Sequence, residues 1–206
     1  RLETSFLSKK QFTADASHGL RTPVAVILAE CDRARRKAET KEDFLASINV
    51  IEQQGNKMNT LIEQLLSLTR IQQGTEKYPL RVCDLSGFVD ACCDEFVPAD
   101  ERGMTLETDI EPGVAAAYNP SLLSRAMFNL MQNAYKYGRE GGNIRVSLCR
   151  ENGCAVISVK DDGPGIPKAE QEKIWQRFYR CDTSRADGGT GLGLSLVREI
   201  ALVHHA

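Results

Sequence analysis

A histidine followed by residues that weaken a helix sets a reactive group apart from its surroundings. In Ser17-His18-Gly19-Leu20-Arg21-Thr22-Pro23 the neutral imidazole offers a ring nitrogen that works as base or nucleophile near neutral pH. Glycine costs a helix interior about 1 kcal/mol and proline about 3 relative to alanine, and Pro23 leaves the Gly19 carbonyl without its usual donor. The run therefore predicts a helix that is weak or kinked just after the histidine. At about 100° per residue, His18 lies about 200° around the helix from Leu20, away from the apolar side and in solvent. An ordinary solvated histidine, beside a kink that merely fits a bundle, is the alternative reading of these residues.

Three further clusters carry ligand chemistry. On a helix predicted over 121–137, Leu122, Ala126, Asn129, Asn133 and Lys136 recur at helical spacing, so two amides and an ammonium share a face. Asparagine oxygens can ligate a hard cation, lysine can meet phosphate as a point charge, and the Tyr137 ring offers a base a surface to stack on. A solvated helix end would look similar. Asp161-Asp162-Gly163-Pro164-Gly165-Ile166 directly follows a predicted strand. Its glycines admit a ligand close to the backbone, and a carboxylate at a strand end can accept from an exocyclic amine such as that of adenine; a tight turn also explains the glycines. Gly188-Gly189-Thr190-Gly191-Leu192-Gly193 precedes a final helix, where backbone N–H groups and the helix end favour an anion. No strand leads into it, so it is not the dinucleotide fingerprint, and a mobile loop is the alternative.

The elements that must position these groups fall into two parts. From Phe44, the positions Phe44, Ile48, Ile51, Gly55, Met58, Ile62 and Leu65 alternate spacings of four and three, the seam of a packed bundle. Thr40 and Asp43 resemble a capping box at its start and Gly74 is a plausible stop. Leu20, Val24, Ile27, Cys31 and Ala34 keep the same spacing on a preceding helix that runs to about Lys37. Two helices cover such a stripe poorly, and a second copy completes a four-helix bundle. From about Thr75 the chain mixes strands and helices. Strands are predicted over 144–148 and 155–160, paired antiparallel around Asn152-Gly153, over 104–110, and more weakly over 80–84. Helices are predicted over 86–96, 121–137, 168–178 and 192–204. An α+β sandwich follows, with helices over one face of a mixed sheet.

Composition narrows the partners. A net charge of −2 over 206 residues, with signs interspersed, leaves neither a basic stripe for nucleic acid nor a polybasic membrane anchor. Seven cysteines without a CxxC pair fit reduced thiols in a cytoplasmic setting. No apolar run approaches the roughly 20 residues of a spanning helix, so any membrane segment is expected outside this piece.

Taken in order, the histidine run, the Asn-rich helix, the Asp-x-Gly-x-Gly turn, Ile174-Trp175-Gln176-Arg177-Phe178-Tyr179-Arg180 and the Gly-x-Gly-x-Gly loop resemble the sensor histidine kinases, across nearly the whole chain. The resemblance implies an antiparallel helical hairpin over 1–74, forming a dimeric four-helix bundle for dimerisation and histidine phosphotransfer. It implies an ATP-binding α/β sandwich of the histidine kinase, Hsp90 and MutL type over 75–206, with 178–188 as a lid. His18 matches the phosphoacceptor, whose imidazole attacks the γ-phosphorus of ATP. Thr22 matches the position that helps place water for dephosphorylation of the partner. Asn133 matches the Mg2+ ligand, supported by Asn129, and Lys136 and Tyr137 match phosphate and adenine or ribose contacts. Asp161 matches the adenine-reading carboxylate, with Gly163, Gly165 and Ile166 around its pocket. Arg177 and Arg180 are cationic candidates for the γ-phosphate. Gly189, Thr190, Gly191, Leu192 and Gly193 match the lid hinge. The implied partners are a second copy and a response-regulator receiver domain, and the implied setting is the cytoplasmic part of an inner-membrane sensor.

Two departures qualify the resemblance. The family usually places Glu or Asp after the histidine, where a carboxylate holds the second ring nitrogen and strengthens the nucleophile; Gly19 cannot do so. Reduced or absent autophosphorylation, with ATP binding and dimerisation kept, is the expectation. Family members also continue into two further strands beyond the residues that end this chain, so the sandwich is expected to be C-terminally incomplete. The alternative reading is a nucleotide-binding scaffold and phosphatase with His18 silent. An ATPase clamp of the Hsp90 or MutL kind is a third, and the helical seams argue against it.

Overall fold

Thr40 and Asp43 start the second long helix as their types predict. The Thr40 Oγ1 accepts from the Asp43 N–H at 3.2 Å and Asp43 Oδ2 accepts from the Thr40 N–H at 3.1 Å, so each satisfies an amide the helix end would leave orphaned. The Thr40 hydroxyl and the neighbouring backbone amides hold the Asp43 carboxyl below its ordinary value. The computed structural model describes residues 2–74, 78–96, 102–181 and 189–206, apart from the side chains of residues 2–13 and 15. Two units divide the chain: residues 1–70 with 177–192, and residues 71–176 with 193–206.

In the first unit, α1 (Leu2–Lys37) and α2 (Lys41–Gln72) form the hairpin. Helix α1 stays helical through the buried Pro23, so the expected weak point is not a break. Arg35, Arg36 and Lys37 close α1, cations at the negative end of its dipole. The apolar stripe divides. Leu61 and Leu68 are buried, while Val24, Leu28, Phe44, Leu45, Ile48, Ile62 and Leu66 stay exposed. Phe44, Ile48 and Ile62 belong to the spacing that marked the seam, so much of the seam is not consumed within one chain.

The second unit is built from β1 (Arg81–Asp84), α3 (Leu85–Glu95), β2 (Thr105–Ile110), β3 (Ala115–Tyr118), α4 (Pro120–Tyr137), β4 (Asn143–Glu151), β5 (Cys154–Asp161), a 3-10 turn (Lys173–Trp175) and α5 (Gly193–Val203). Strand β2 runs parallel to β4, and β4 pairs antiparallel with β5, giving a mixed sheet in the order β2-β4-β5. Asn152 and Gly153 make the turn at φ 49° and 81°, the left-handed pair that matches strand twist in a two-residue hairpin. Alternate β4 residues Ile144, Val146 and Leu148 are buried. Val146 and Leu148 pack with Met127 and Met131 of α4 and Val89, Cys92 and Cys93 of α3, which places both helices on one face. Burial pushes the Cys93 thiol up to about 11, and all seven cysteines are free thiols.

Two segments depart from expectation. Strand β3, which pairs antiparallel with β1, was not foreseen, because Ala115-Ala116-Ala117 carries no β-branched signal. The predicted helix over 168–178 is instead a series of turns around Lys173–Trp175. Its backbone closes mainly through i to i+3 bonds, such as Lys173 N–H to Glu170 O at 2.8 Å and Gln176 N–H to Lys173 O at 2.9 Å. The Gln171 side chain reaches back to the Ile166 carbonyl at 3.0 Å. Lys168, Glu170, Gln171, Glu172 and Lys173 leave no apolar stripe to bury, and a helix this short is not stable on propensity alone.

Candidate nucleotide and phosphoacceptor sites

Helix α4 is started by Asn119, whose Oδ1 accepts from the Leu122 N–H at 3.1 Å, with Pro120 in the first turn. Its inner side is fixed by Met127, Met131 and Ala134, all buried. That anchorage leaves Asn133 and Lys136 half-buried and Tyr137 exposed at its end, with the Lys136 Nζ 5.0 Å from the Tyr137 ring centroid. Asn129 donates to the Arg125 carbonyl at 2.7 Å. A Cβ added at Gly193 would lie 2.8 Å from Asn129 Oδ1, so the glycine lets the start of α5 approach that amide closely. Asn129 thus touches the helix start, a contact the sequence did not assign to it.

Asp161 ends β5 in solvent and accepts from the Gly163 N–H at 2.9 Å. A Cβ at Gly163 would stand 2.3 Å from the Tyr137 carbonyl oxygen, so the ends of β5 and α4 meet backbone to backbone. Tyr137, Asp161 and Gly163 are therefore brought together, with Gly165 and the exposed Ile166 following. The sequence reading overlooked Asp162. Its carboxylate accepts from the N–H groups of Arg139 and Asn143, each at 3.1 Å, and these amides, Arg139's first, hold it below its ordinary value of 3.8. The doubled aspartate was the available signal. Because the folded value is the lower one, the stability this carboxylate contributes is complete above the unfolded value and is lost as pH falls through the folded value. Asp162→Asn is accordingly expected to flatten part of the loss of stability below about pH 4. Denaturant unfolding of both proteins across that range checks it, and identical acid limbs would refute it.

In the first unit His18 and Thr22 are exposed on α1, four residues apart and on one face. A Cβ at Gly19 would lie 3.3 Å from Leu61 Cδ2 and 3.6 Å from Phe178 Cε1. Phe178 adopts φ 60° and donates its N–H to the Gly191 carbonyl at 2.9 Å. Gly191, at φ 71°, lies so near the Phe178 backbone that a Cβ would come within 2.7 Å of it. Only glycine suits that position on both counts. Thr190 donates its hydroxyl to Gln64 Oε1 at 2.7 Å and accepts from the Leu192 N–H at 3.3 Å. Gly189 is half-buried and Leu192 fully buried, and Arg177 and Arg180 are half-buried. Of the expected lid over 178–188, residues 182–188 lie outside the described ones.

Residues 8–74 match the His Kinase A (phospho-acceptor) domain, and residues 118–206 match the histidine kinase-, DNA gyrase B-, and HSP90-like ATPase family. The chain belongs to the sensor histidine kinases. It is 36% identical over 205 residues to sensor histidine kinase RppB of Synechocystis sp., covering 97% of this chain and 45% of that protein. It is 34% identical over 206 residues to sensor histidine kinase YkoH of Bacillus subtilis, covering 98% and 44%. The chain thus spans about half the length of these relatives. The solved structure of histidine kinase ThkA in complex with response regulator protein TrrA shares the fold at a TM-score of 0.76 and 22% identity, over 100% of this chain and 57% of that one. As a sensor histidine kinase core, the chain pairs a helical hairpin bearing His18 with an α/β ATPase sheet. Among the described residues no helix is long and apolar enough to cross a membrane.

Proposed function

We propose that this chain is the catalytic core that binds Mg-ATP, moves the γ-phosphoryl group to His18 and passes it to an aspartate of a response-regulator receiver domain. The observation that carries the reading is the exposed His18 imidazole within the phospho-acceptor match, in a chain that also holds the ATPase domain. A neutral ring nitrogen forms the N–P bond while the bond from the γ-phosphorus to the β–γ bridging oxygen breaks, and ADP leaves with that oxygen. Phosphoryl transfer asks for positioning and charge neutralisation more than for covalent chemistry from the protein. In this reading Asp161 accepts from the adenine amine, Tyr137 stacks on the nucleoside, Lys136 meets phosphate oxygens, and Arg177 and Arg180 are the cationic candidates for the γ-phosphate. The Asn133 oxygen suits Mg2+, a hard cation that commonly keeps few protein ligands and completes its shell with phosphates and water. Bound there, the ion would neutralise phosphate charge. Gly189 to Gly193 would adjust the lid around the nucleotide.

The domain limits we assign are 1–74 and 75–206. The exposed stripe of Leu28, Phe44, Leu45, Ile48 and Leu66 supports burial against a second copy in a four-helix bundle, and the setting is the cytoplasmic side of a membrane-anchored sensor. Gly19 favours a lowered autokinase rate, since the position after His18 carries no carboxylate. It also gives the second reading its basis: a nucleotide-bound scaffold in which the exposed Thr22 helps place water on the partner's acyl phosphate.

Gly19→Glu tests the assignment. Incubated with magnesium and γ-labelled ATP, it is expected to gain acid-labile, base-stable label on His18 faster than the unmodified protein. Its Cβ needs Leu61 to yield by a few tenths of an ångström, so Gly19→Ala, which adds the same atom without a carboxylate, isolates the electrostatic part. Equal rates in Gly19→Glu and Gly19→Ala would sink the role given to the missing acid.

A further inference from the structure

We propose that Arg102 and Asp162 are positioning residues for ATP, gripping the end of α4 from two sides so that Lys136 and Tyr137 are set before the nucleotide arrives. The inference deepens the nucleotide-binding reading and rests on it.

The last carbonyls of any α-helix lack intrahelical donors. In α4 the Gly138 N–H closes one, on Ala134 at 2.8 Å. Arg102 takes two more and the cap residue: its guanidinium donates to the carbonyls of Tyr135, of Lys136 at 2.8 Å and, just past the helix, of Gly138 at 2.9 Å, and it lies 5.6 Å from the Tyr135 ring centroid. A planar fork at the negative end of the helix serves geometry and charge at once. Its own carbonyl accepts from the Gly141 N–H at 2.9 Å, tying it to the loop that follows.

Asp162 grips that same loop from the other side. One carboxylate oxygen takes the Arg139 N–H and the other the Asn143 N–H. A Cβ on Gly142 would come within 2.4 Å of both oxygens, so the carboxylate fills the loop. Its neighbour Asp161 is the candidate adenine reader, and the Gly163 contact with the Tyr137 carbonyl joins the same two chain ends. One dipeptide therefore places a ligand carboxylate and anchors the helix end that carries the other ligand groups. Each partner's hydrogen bonds named here go to backbone atoms, which makes them supports rather than nucleotide ligands. A helix end held in its binding geometry avoids the affinity lost when only a fraction of molecules is competent.

The test is ATP binding by calorimetry in magnesium, with the full chain and Arg102→Ala, Arg102→Lys, Asp162→Ala and Asp162→Asn. The alanine variants are expected to raise the Kd about tenfold, the scale of one charge-assisted hydrogen bond. Asp162→Asn, which keeps one acceptor, and Arg102→Lys, which keeps the charge without the fork, are expected to recover part of that. The rate of His18 labelling at saturating ATP should be unchanged in each. Unchanged Kd in the alanine variants, no recovery in the conservative ones, or a saturating rate that falls in step with affinity overturns the positioning roles. Failure of the unmodified chain itself to bind ATP overturns the nucleotide reading and this proposal with it.

Discussion

With γ-labelled ATP and magnesium, the His18→Gln protein is expected to take up no acid-labile, base-stable label, while binding ATP as the unmodified chain does. The amide of glutamine offers no basic ring nitrogen to attack phosphorus, so the bond-forming step is lost rather than slowed. The fold should be indifferent, because His18 is exposed and surface substitutions usually shift stability by less than about 0.5 kcal/mol. The other histidines are His204 and His205. His204 is poorly placed to substitute: its Nε2 accepts from the Asn119 N–H at 3.0 Å and its Nδ1 faces the Ile200 carbonyl at 2.8 Å. Label surviving in His18→Gln would move the acceptor elsewhere. Loss of ATP binding together with label would assign the residue to folding.

Met131→Ala is expected to destabilise the protein by about 2–5 kcal/mol, the range for truncating a long buried aliphatic side chain. Met131 is 0% exposed and packs in the core with Val89, Cys93, Val146 and Leu148, where removed atoms leave a cavity. Met131→Leu, nearly equal in volume, should cost less than about 1.5 kcal/mol. Denaturant unfolding monitored at Trp175 and by far-ultraviolet circular dichroism separates the two. Because Asn133, Lys136 and Tyr137 ride on the same helix, ATP affinity should fall with the alanine variant and recover with leucine. An alanine variant as stable as the unmodified protein would mean that α4 is not anchored through this side chain.

The features legible in the sequence are those whose causes are local. Thr40 with Asp43, and Asn152 with Gly153, specify a helix start and a turn within a few residues, and both stand in the structure as their types demand. Tyr137, Asp161 and Gly163 were each marked by type, and the structure adds that they meet. Alanine-rich β3 was illegible because its pairing with β1, Val82 opposite Ala117, owes nothing to its own side chains. The run 168–178 misled because its residue types favour a helix that no apolar face supports. Arg102 and Asp162 were hidden for a third reason: their partners are backbone atoms far along the chain, and amides and carbonyls leave no trace in residue type.

The mixed sheet has a consequence for how the second unit assembles. Strands β4 and β5 are joined by two residues and can zip as a hairpin, an event of microseconds. Strand β2 joins them only by closing a long loop, since Thr105 lies opposite Asn143 and everything between, α4 included, must be looped out at an entropic cost. Parallel pairing across such a span is the slow kind of contact. The expected order of assembly is a β-hairpin that seeds the sheet, α4 settling over it, and β2 arriving last. Substitutions in β2 should then act chiefly on the unfolding limb of a chevron, whereas those in the Asn152-Gly153 turn should slow refolding.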